Sequence, residues 1–179
     1  MYKKILLLHG WGGSDFPHWQ SWLAGEIAKD YGCVNFLKFS NFDVPKFETW
    51  SKELIHTLNE FKPDIVLCHS LANILWFHLA NKGLLPQIKD LYLVAPPSLT
   101  CQIAELQEFF PVALPHNLYA QNTTFIYSTN DPYMDEKEAQ HLQEQLSVRT
   151  VKLENAGHIN SDSNFGKWEW ILKDIKDLP

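Results

Sequence analysis

Three side chains in this sequence carry the chemistry of nucleophilic catalysis: Ser70, Asp131 and His158. Each follows a different short apolar run that is typical of a buried strand. A serine hydroxyl is protonated at neutral pH, so it needs a base within hydrogen-bond reach and a carboxylate to orient that base. The chain order Ser, Asp, His is the order found in α/β-hydrolases. The pattern predicts an acyl-transfer site with Ser70 as nucleophile, His158 as base and Asp131 as acid.

Each of these residues also has a purely structural interpretation. Ser70 opens a predicted helix, and serine is a preferred helix N-cap. Asp131 precedes a proline and could form an Asx turn. A nucleophile elbow needs small residues two positions before and after its serine, and here they are Cys68 and Ala72 instead of glycines. The order of the three residues, rather than any one of them, favours catalysis.

A glycine-rich turn follows the first predicted strand, in the stretch LLLHGWGGSDFPHW. It lacks the third glycine of a dinucleotide-binding turn and the Gly-Lys-Ser/Thr of a P-loop. The alternative is an oxyanion hole, which needs two backbone N–H donors near the nucleophile. We expect Leu71 to supply one of them and Trp11 or Gly12 the other. A simple tight turn remains the structural alternative.

Apolar runs alternate with segments of helical periodicity along the whole chain. Six predicted strands are Lys4–His9, Val34–Phe39, Ile65–His69, Asp90–Ala95, Thr124–Ser128 and Val148–Leu153. Predicted helices include stripes from Trp19 to Ile27 and from Phe47 to Phe61, and the segments Leu71–Ala80, Glu136–Leu146 and Phe165–Leu178. Strands that are apolar throughout and alternate with helices indicate a parallel sheet covered on both faces. We expect an α/β fold: one three-layer α/β/α sandwich over residues 1–179, with no large lid domain.

The stretch from Pro96 to Gln121 interrupts this alternation. It contains several prolines and a short helical pattern near Ile103–Phe110, and we expect it to cover the end of the sheet. Trp19, Phe109 and Phe110 are candidates for the walls of an apolar acyl pocket. Core packing is an equally good interpretation of each.

Composition narrows the function classes. A net charge of −6 argues against a nucleic-acid partner. Three cysteines without a CxxC pair favour reduced thiols and predict neither a disulfide framework nor a metal site. The N-terminal apolar run of four residues is too short for a signal sequence, and no window predicts a membrane span. We therefore expect a cytoplasmic protein that needs no cofactor.

Several motifs resemble the small serine hydrolases of the retinoblastoma-binding-protein type. These are His9-Gly10 with Trp19 downstream, His69-Ser70, Asn130-Asp131-Pro132-Tyr133, and Ala156-Gly157-His158-Ile159-Asn160. The resemblance runs nearly end to end, and it implies a compact α/β-hydrolase with Ser70, Asp131 and His158 as its triad. It also implies Leu71 and the Trp11–Gly12 region as oxyanion donors. Cys68 and Ala72 depart from its usual elbow glycines.

The sequence therefore predicts a hydrolase that cleaves a small ester, thioester or amide through an acyl-enzyme, with carboxylesterase-like activity. One alternative is a hydrolase-fold protein that has lost turnover and binds a protein partner. Another is a nucleotide-binding, flavodoxin-like domain.

Overall fold

A central sheet of six strands organises the computed structural model, which describes residues 3–178. All neighbouring strands are parallel, in the order β2-β1-β3-β4-β5-β6. The strands are β1 Lys4–Leu8, β2 Cys33–Leu37, β3 Ile65–His69, β4 Ile88–Val94, β5 Ala120–Ser128 and β6 Arg149–Leu153. Because the strands are parallel, their carboxyl ends all meet at one edge of the sheet.

Five α-helices connect the strands and cover the sheet. They are α1 Trp19–Lys29, α2 Phe47–Phe61, α3 Leu71–Asn81, α4 Glu136–Leu146 and α5 Glu169–Asp177. Two short 3₁₀ helices lie at Ala104–Phe109 and Ser161–Ser163. Within residues 3–178, no helix combines the length and apolarity required to cross a bilayer.

Alternate residues of each central strand pack into two separate hydrophobic cores, one on each face of the sheet. Leu6 and Leu8 of β1 pack with α2, α3 and α4 on one face. Ile5 and Leu7 pack with α1 and α5 on the other. A strand that is buried on both faces reads as a continuous apolar run, which is why periodicity alone indicated these strands. The three-layer α/β/α architecture predicted from the sequence is confirmed.

Helix α3 lies deepest of the five. Nine of its eleven residues are buried, as its nearly continuous apolar composition predicts. It begins immediately after Ser70, so its N-terminal turn is at the carboxyl edge of the sheet. Helix α5, in contrast, is shorter than predicted, since it begins at Glu169 and not at Phe165. A Cβ on Gly166 would lie 2.8 Å from the Pro17 carbonyl oxygen, and this close approach accompanies the non-helical backbone there.

Candidate active site

Ser70, Asp131 and His158 meet at the carboxyl edge of the sheet, although they are far apart in the sequence. Ser70 follows β3, Asp131 follows β5 and His158 follows β6. The Nε2 atom of His158 lies 2.8 Å from the Oγ of Ser70. Its Nδ1 lies 2.9 and 2.8 Å from the two carboxylate oxygens of Asp131. With the Nδ1–H donating to Asp131, Nε2 is left to accept the Ser70 hydroxyl proton.

The backbone of Ser70 distinguishes a nucleophile elbow from a helix cap. Its φ of 54° and ψ of −123° lie in a region that L-residues rarely adopt. Its side chain makes no capping hydrogen bond to α3 and is bonded to His158 instead. Holding a residue in such a conformation costs about 1–3 kcal/mol, so the surrounding structure must impose it.

Asn73 and the end of β4 supply that constraint. The Ser70 N–H donates to the Val94 carbonyl at 3.0 Å, and the Ser70 carbonyl accepts from the Asn73 N–H at 3.0 Å. The Asn73 side-chain amide donates to both carbonyls, at 2.9 Å to Ser70 and 2.9 Å to Val94. Every backbone polar group of the strained residue therefore has a partner.

The two residues that replace the elbow glycines are accommodated by the core. Cys68 and Ala72 are both fully buried and pack in the cluster beneath α3. Burial in this apolar setting raises the pKa of the Cys68 thiol. The crowded position is a different one, Gly10 at the end of β1. A Cβ added there would lie 2.6 Å from the Cβ of Ser70 and 3.0 Å from its Oγ.

The loops that carry Asp131 and His158 are bonded to each other. Ala156 N–H donates to the Ser128 hydroxyl at 2.9 Å, and Gly157 N–H donates to the Asn130 side-chain oxygen at 2.7 Å. Gly157 has a φ of +55°, and a Cβ on it would lie 2.2 Å from the Ser163 Oγ. The Ala-Gly-His sequence thus allows the tight turn that aims His158 at Ser70.

Three further histidines stand close to the site, and all of them are buried. His69 Nε2–H donates to the His158 carbonyl at 3.1 Å, and its ring packs against that of His18 with centroids 4.8 Å apart. His9 accepts from the Phe39 N–H at 2.9 Å. Desolvation by burial lowers the pKa of all three, to about 3 for His18. The three imidazoles are therefore uncharged, and they stabilise the site through packing and hydrogen bonds.

Two of the predicted oxyanion donors are better placed than the third. Leu71, Trp11 and Gly12 all line the cavity that contains Ser70. The Gly12 N–H, however, donates to the Phe42 carbonyl at 3.1 Å. Among the hydrogen bonds of residues 3–178, the backbone N–H groups of Trp11 and Leu71 have no protein acceptor. Trp11 and Leu71 are therefore the two candidate donors whose N–H groups lack a protein acceptor at the cavity.

The aromatic residues proposed as pocket walls belong to the core. Trp19 is fully buried and packs edge-on against Trp168, with centroids 5.1 Å apart. Phe109 is fully buried against Phe47 and Trp50, and Phe110 is buried in the same cluster. For all three, packing and not pocket formation is what the structure shows. The segment that carries Phe109 does reach the cavity, but through Ile103 and Leu106.

The cavity beside Ser70 has a volume of about 610 Å³. Several of its lining residues carry no signal of a site in the sequence: Ser14, Asp15, Asp43, Pro97, Cys101, Asn160, Ser161 and Asp162. Tyr133 also lines it, packing edge-on against the His158 ring at 4.5 Å. Within residues 3–178, no group of three or more His, Cys, Asp or Glu side chains is arranged to hold a metal ion.

Comparison with known proteins identifies the family. The model of the family described as "Serine hydrolase" matches residues 5–177. The chain belongs to the serine hydrolase family. It is 26% identical over 174 residues to "Putative hydrolase YdeN" of Bacillus subtilis strain 168, covering 92% of this chain and 90% of that protein.

Solved structures support the same fold. The crystal structure of the ydeN gene product from B. subtilis superimposes with a TM-score of 0.83 at 20% identity, covering 97% of each chain. A "putative yden-like hydrolase" from Pectobacterium atrosepticum gives a TM-score of 0.74 at 23% identity, over 97% of this chain and 89% of that one. The esterase domain of a Rhodothermus marinus protein gives 0.61 at 14% identity, over 91% and 81%. These likenesses establish a compact α/β-hydrolase fold.

Proposed function

We propose that this serine hydrolase cleaves small carboxylic esters, thioesters or amides through an acyl-enzyme. The observation that carries the proposal is the unbroken hydrogen-bond chain from the Ser70 hydroxyl through His158 to Asp131. The three side chains lie beside a cavity of about 610 Å³, which is within the range of small-molecule sites.

Acylation begins when the Ser70 Oγ attacks the substrate carbonyl carbon while its proton passes to His158 Nε2. Asp131 holds the imidazole in the required tautomer and stabilises the imidazolium. The N–H groups of Trp11 and Leu71 hold the oxyanion, aided by the N-terminal end of α3. As the tetrahedral intermediate collapses, the bond to the leaving group breaks and His158 donates the proton to that group. Water then repeats the sequence and releases the carboxylic acid.

We further propose that this protein is similar to the retinoblastoma-binding type of serine hydrolase, a proposal supported by its Asn-Asp-Pro-Tyr and Ala-Gly-His-Ile-Asn blocks. The three free cysteines fit a reducing compartment, and we assign the protein to the cytoplasm on that ground. Among the alternatives to catalysis, a binding protein that has lost turnover has the altered elbow as its main support. The positive φ of Ser70 and its hydrogen bond to His158 favour catalysis over this alternative.

Turnover of short p-nitrophenyl acyl esters tests the proposal. We expect wild-type protein to release nitrophenol with an initial burst, and Ser70→Ala to lose about 10⁴–10⁶-fold in kcat. Asp131→Asn, which keeps the shape but reverses the tautomer, should lose about 10⁴-fold. Glu60→Gln on the exposed face of α2 serves as a control that should not change turnover. Equal rates for wild type and Ser70→Ala would refute the assignment.

A further inference from the structure

The residues that line the cavity beside Ser70 include two chemical kinds. Four are apolar: Leu71, Pro97, Ile103 and Leu106. Three carry exposed carboxylates: Asp15, Asp43 and Asp162. No lysine or arginine lies among the described residues that line the cavity. A substrate in this cavity therefore has both apolar side chains and carboxylates within reach.

The three carboxylates have no ion-pair partner in the chain. No Lys, Arg or His nitrogen of residues 3–178 lies within 4.0 Å of Asp15, Asp43 or Asp162. Most other acidic groups near the surface are paired, as Glu108 is with Lys46. Three unpaired like charges around a cavity repel anions and concentrate cations.

Two aromatic side chains, Trp11 and Tyr133, also line the cavity. Trp11 is 37% exposed, and its Nε1–H donates to the Asp43 backbone carbonyl at 2.9 Å, which holds the ring near that residue. Tyr133 is 38% exposed and packs against His158. Exposed aromatic faces next to carboxylates are a recurring environment for ammonium groups.

A buried hydroxyl adds a second, independent observation. Ser14 is only 4% exposed and lines the cavity between the glycine-rich turn and Asp15. Its Oγ has no hydrogen-bond partner among the described residues. A buried hydroxyl without a partner costs free energy unless a ligand satisfies it. Its lone pairs would accept from an ammonium N–H or from the polarised C–H groups of a quaternary ammonium.

The chemistry of the reaction indicates which end of the substrate carries the ammonium. His158 must reach the leaving group in order to protonate it. Asn160, Ser161 and Asp162 belong to the same loop as His158 and line the cavity. The leaving group therefore departs on the side of this loop, where Asp162 lies, and we assign the acyl group to Leu71, Ile103 and Leu106.

We propose that the substrate joins an apolar acyl group to a positively charged leaving group, an alcohol, thiol or amine that bears an ammonium. The carboxylates of Asp15, Asp43 and Asp162 bind the ammonium, and the apolar lining residues bind the acyl chain. This inference rests on the proposed hydrolase function and specifies its substrate class.

A matched series of thioesters provides the test. Butyrylthiocholine carries a quaternary ammonium, and 3,3-dimethylbutyl thiobutyrate has the same shape with carbon in place of nitrogen. A third thiobutyrate carries a carboxylate at that end. At about 10 mM salt we expect kcat/KM to be about tenfold higher for the cationic than for the neutral thioester, and lowest for the anionic one. At about 1 M salt, where the Debye length is about 3 Å, the ratio should fall towards one.

Two triple variants separate the local field from the overall charge. Asp15→Asn/Asp43→Asn/Asp162→Asn should bring the ratio of cationic to neutral kcat/KM close to one. Glu48→Gln/Glu60→Gln/Glu144→Gln removes three exposed charges away from the cavity and should keep most of the preference. Equal kcat/KM for the cationic and neutral thioesters, with both dependent on Ser70, would overturn this inference alone. Loss of every thioester and p-nitrophenyl activity would overturn the proposed function instead.

Discussion

Gly10 and Ser70, at the ends of neighbouring strands, approach so closely that a methyl group on Gly10 would lie 2.6 Å from the Ser70 Cβ. It would also lie 3.2 Å from the His69 carbonyl oxygen. The segment that follows β1 therefore places a steric constraint on the elbow from outside the chain segment that carries Ser70.

Gly10→Ala should consequently displace the nucleophile. A shift of about 1 Å from the productive position can cost about 100-fold, and we expect a loss of that size in kcat/KM for p-nitrophenyl esters. Overpacking should also lower the free energy of unfolding by about 1–3 kcal/mol. Gly25→Ala is the matched control, because nothing lies within 4 Å of the added methyl. Full activity in Gly10→Ala would show that the elbow tolerates the contact.

Cys68→Gly would restore the usual elbow residue, yet it should not improve the enzyme. The thiol is fully buried between strands and helices, so its removal leaves a void and a flexible residue in β3. We expect denaturant unfolding to show a loss of about 2 kcal/mol, with kcat for p-nitrophenyl esters within about twofold of wild type. Cys33→Ala, on the half-buried strand β2, is the comparison. A marked gain in kcat would show that Cys68 strains the elbow.

Asn73→Leu should damage the elbow through its backbone. The substitution keeps the branched shape, with a larger volume, but removes both amide hydrogen bonds, to Ser70 and to Val94. We expect kcat to fall about tenfold, with a loss of about 1–3 kcal/mol in stability. Asn81→Leu in the same helix removes a single bond to the Ala113 carbonyl and should leave kcat unchanged. An equal loss of stability in both variants, with kcat intact in each, would assign Asn73 a purely structural role.

Acidification should destabilise the fold through its buried histidines. Burial lowers the folded-state pKa of His18 from 6.5 to about 3 and that of His69 well below 6.5. Below pH 6.5 the unfolded chain thus binds more protons than the folded one, so stability falls as the pH falls towards about 3. For His18 the loss between about pH 6.5 and pH 5 is on the order of 1–2 kcal/mol.

His18→Asn isolates this effect, since the asparagine oxygen can replace Nδ1 as acceptor for the Gln20 N–H. Denaturant titrations at several pH values should give about one proton fewer bound on unfolding than in wild type. His141→Gln, which removes a histidine at an exposed position, is the control variant. An unchanged pH dependence in His18→Asn would mean that His18 is protonated within the fold.

Much of the fold can be predicted from the sequence because the spacing of apolar residues indicates which positions are buried. Strand β3 and helices α2 and α4 begin and end where the pattern indicates. The start of α5 does not, since the approach of Gly166 to Pro17 is a contact between distant segments. Periodicity is local, so it cannot report such contacts.

The candidate site could likewise be predicted in part from the sequence. The chain order predicted that Ser70, Asp131 and His158 belong to one site, and in the structure their side chains are linked by hydrogen bonds. Trp19 and Phe109 could not be distinguished from pocket residues, because aromatic side chains suit both settings. The positive φ of Ser70 and the unpaired carboxylates of Asp15 and Asp43 follow from three-dimensional placement, for which the sequence offers no signal.

Covalent labelling with a fluorophosphonate probe tests the central claim, that His158 and Asp131 activate Ser70 as a nucleophile. We predict stoichiometric labelling of the folded wild type, with the adduct located by mass spectrometry on the peptide that contains Ser70. Heat-denatured protein and Ser70→Ala should not be labelled, and His158→Gln should be labelled at least about 100-fold more slowly. An adduct at another residue, or equal labelling of Ser70→Ala, would contradict the assignment.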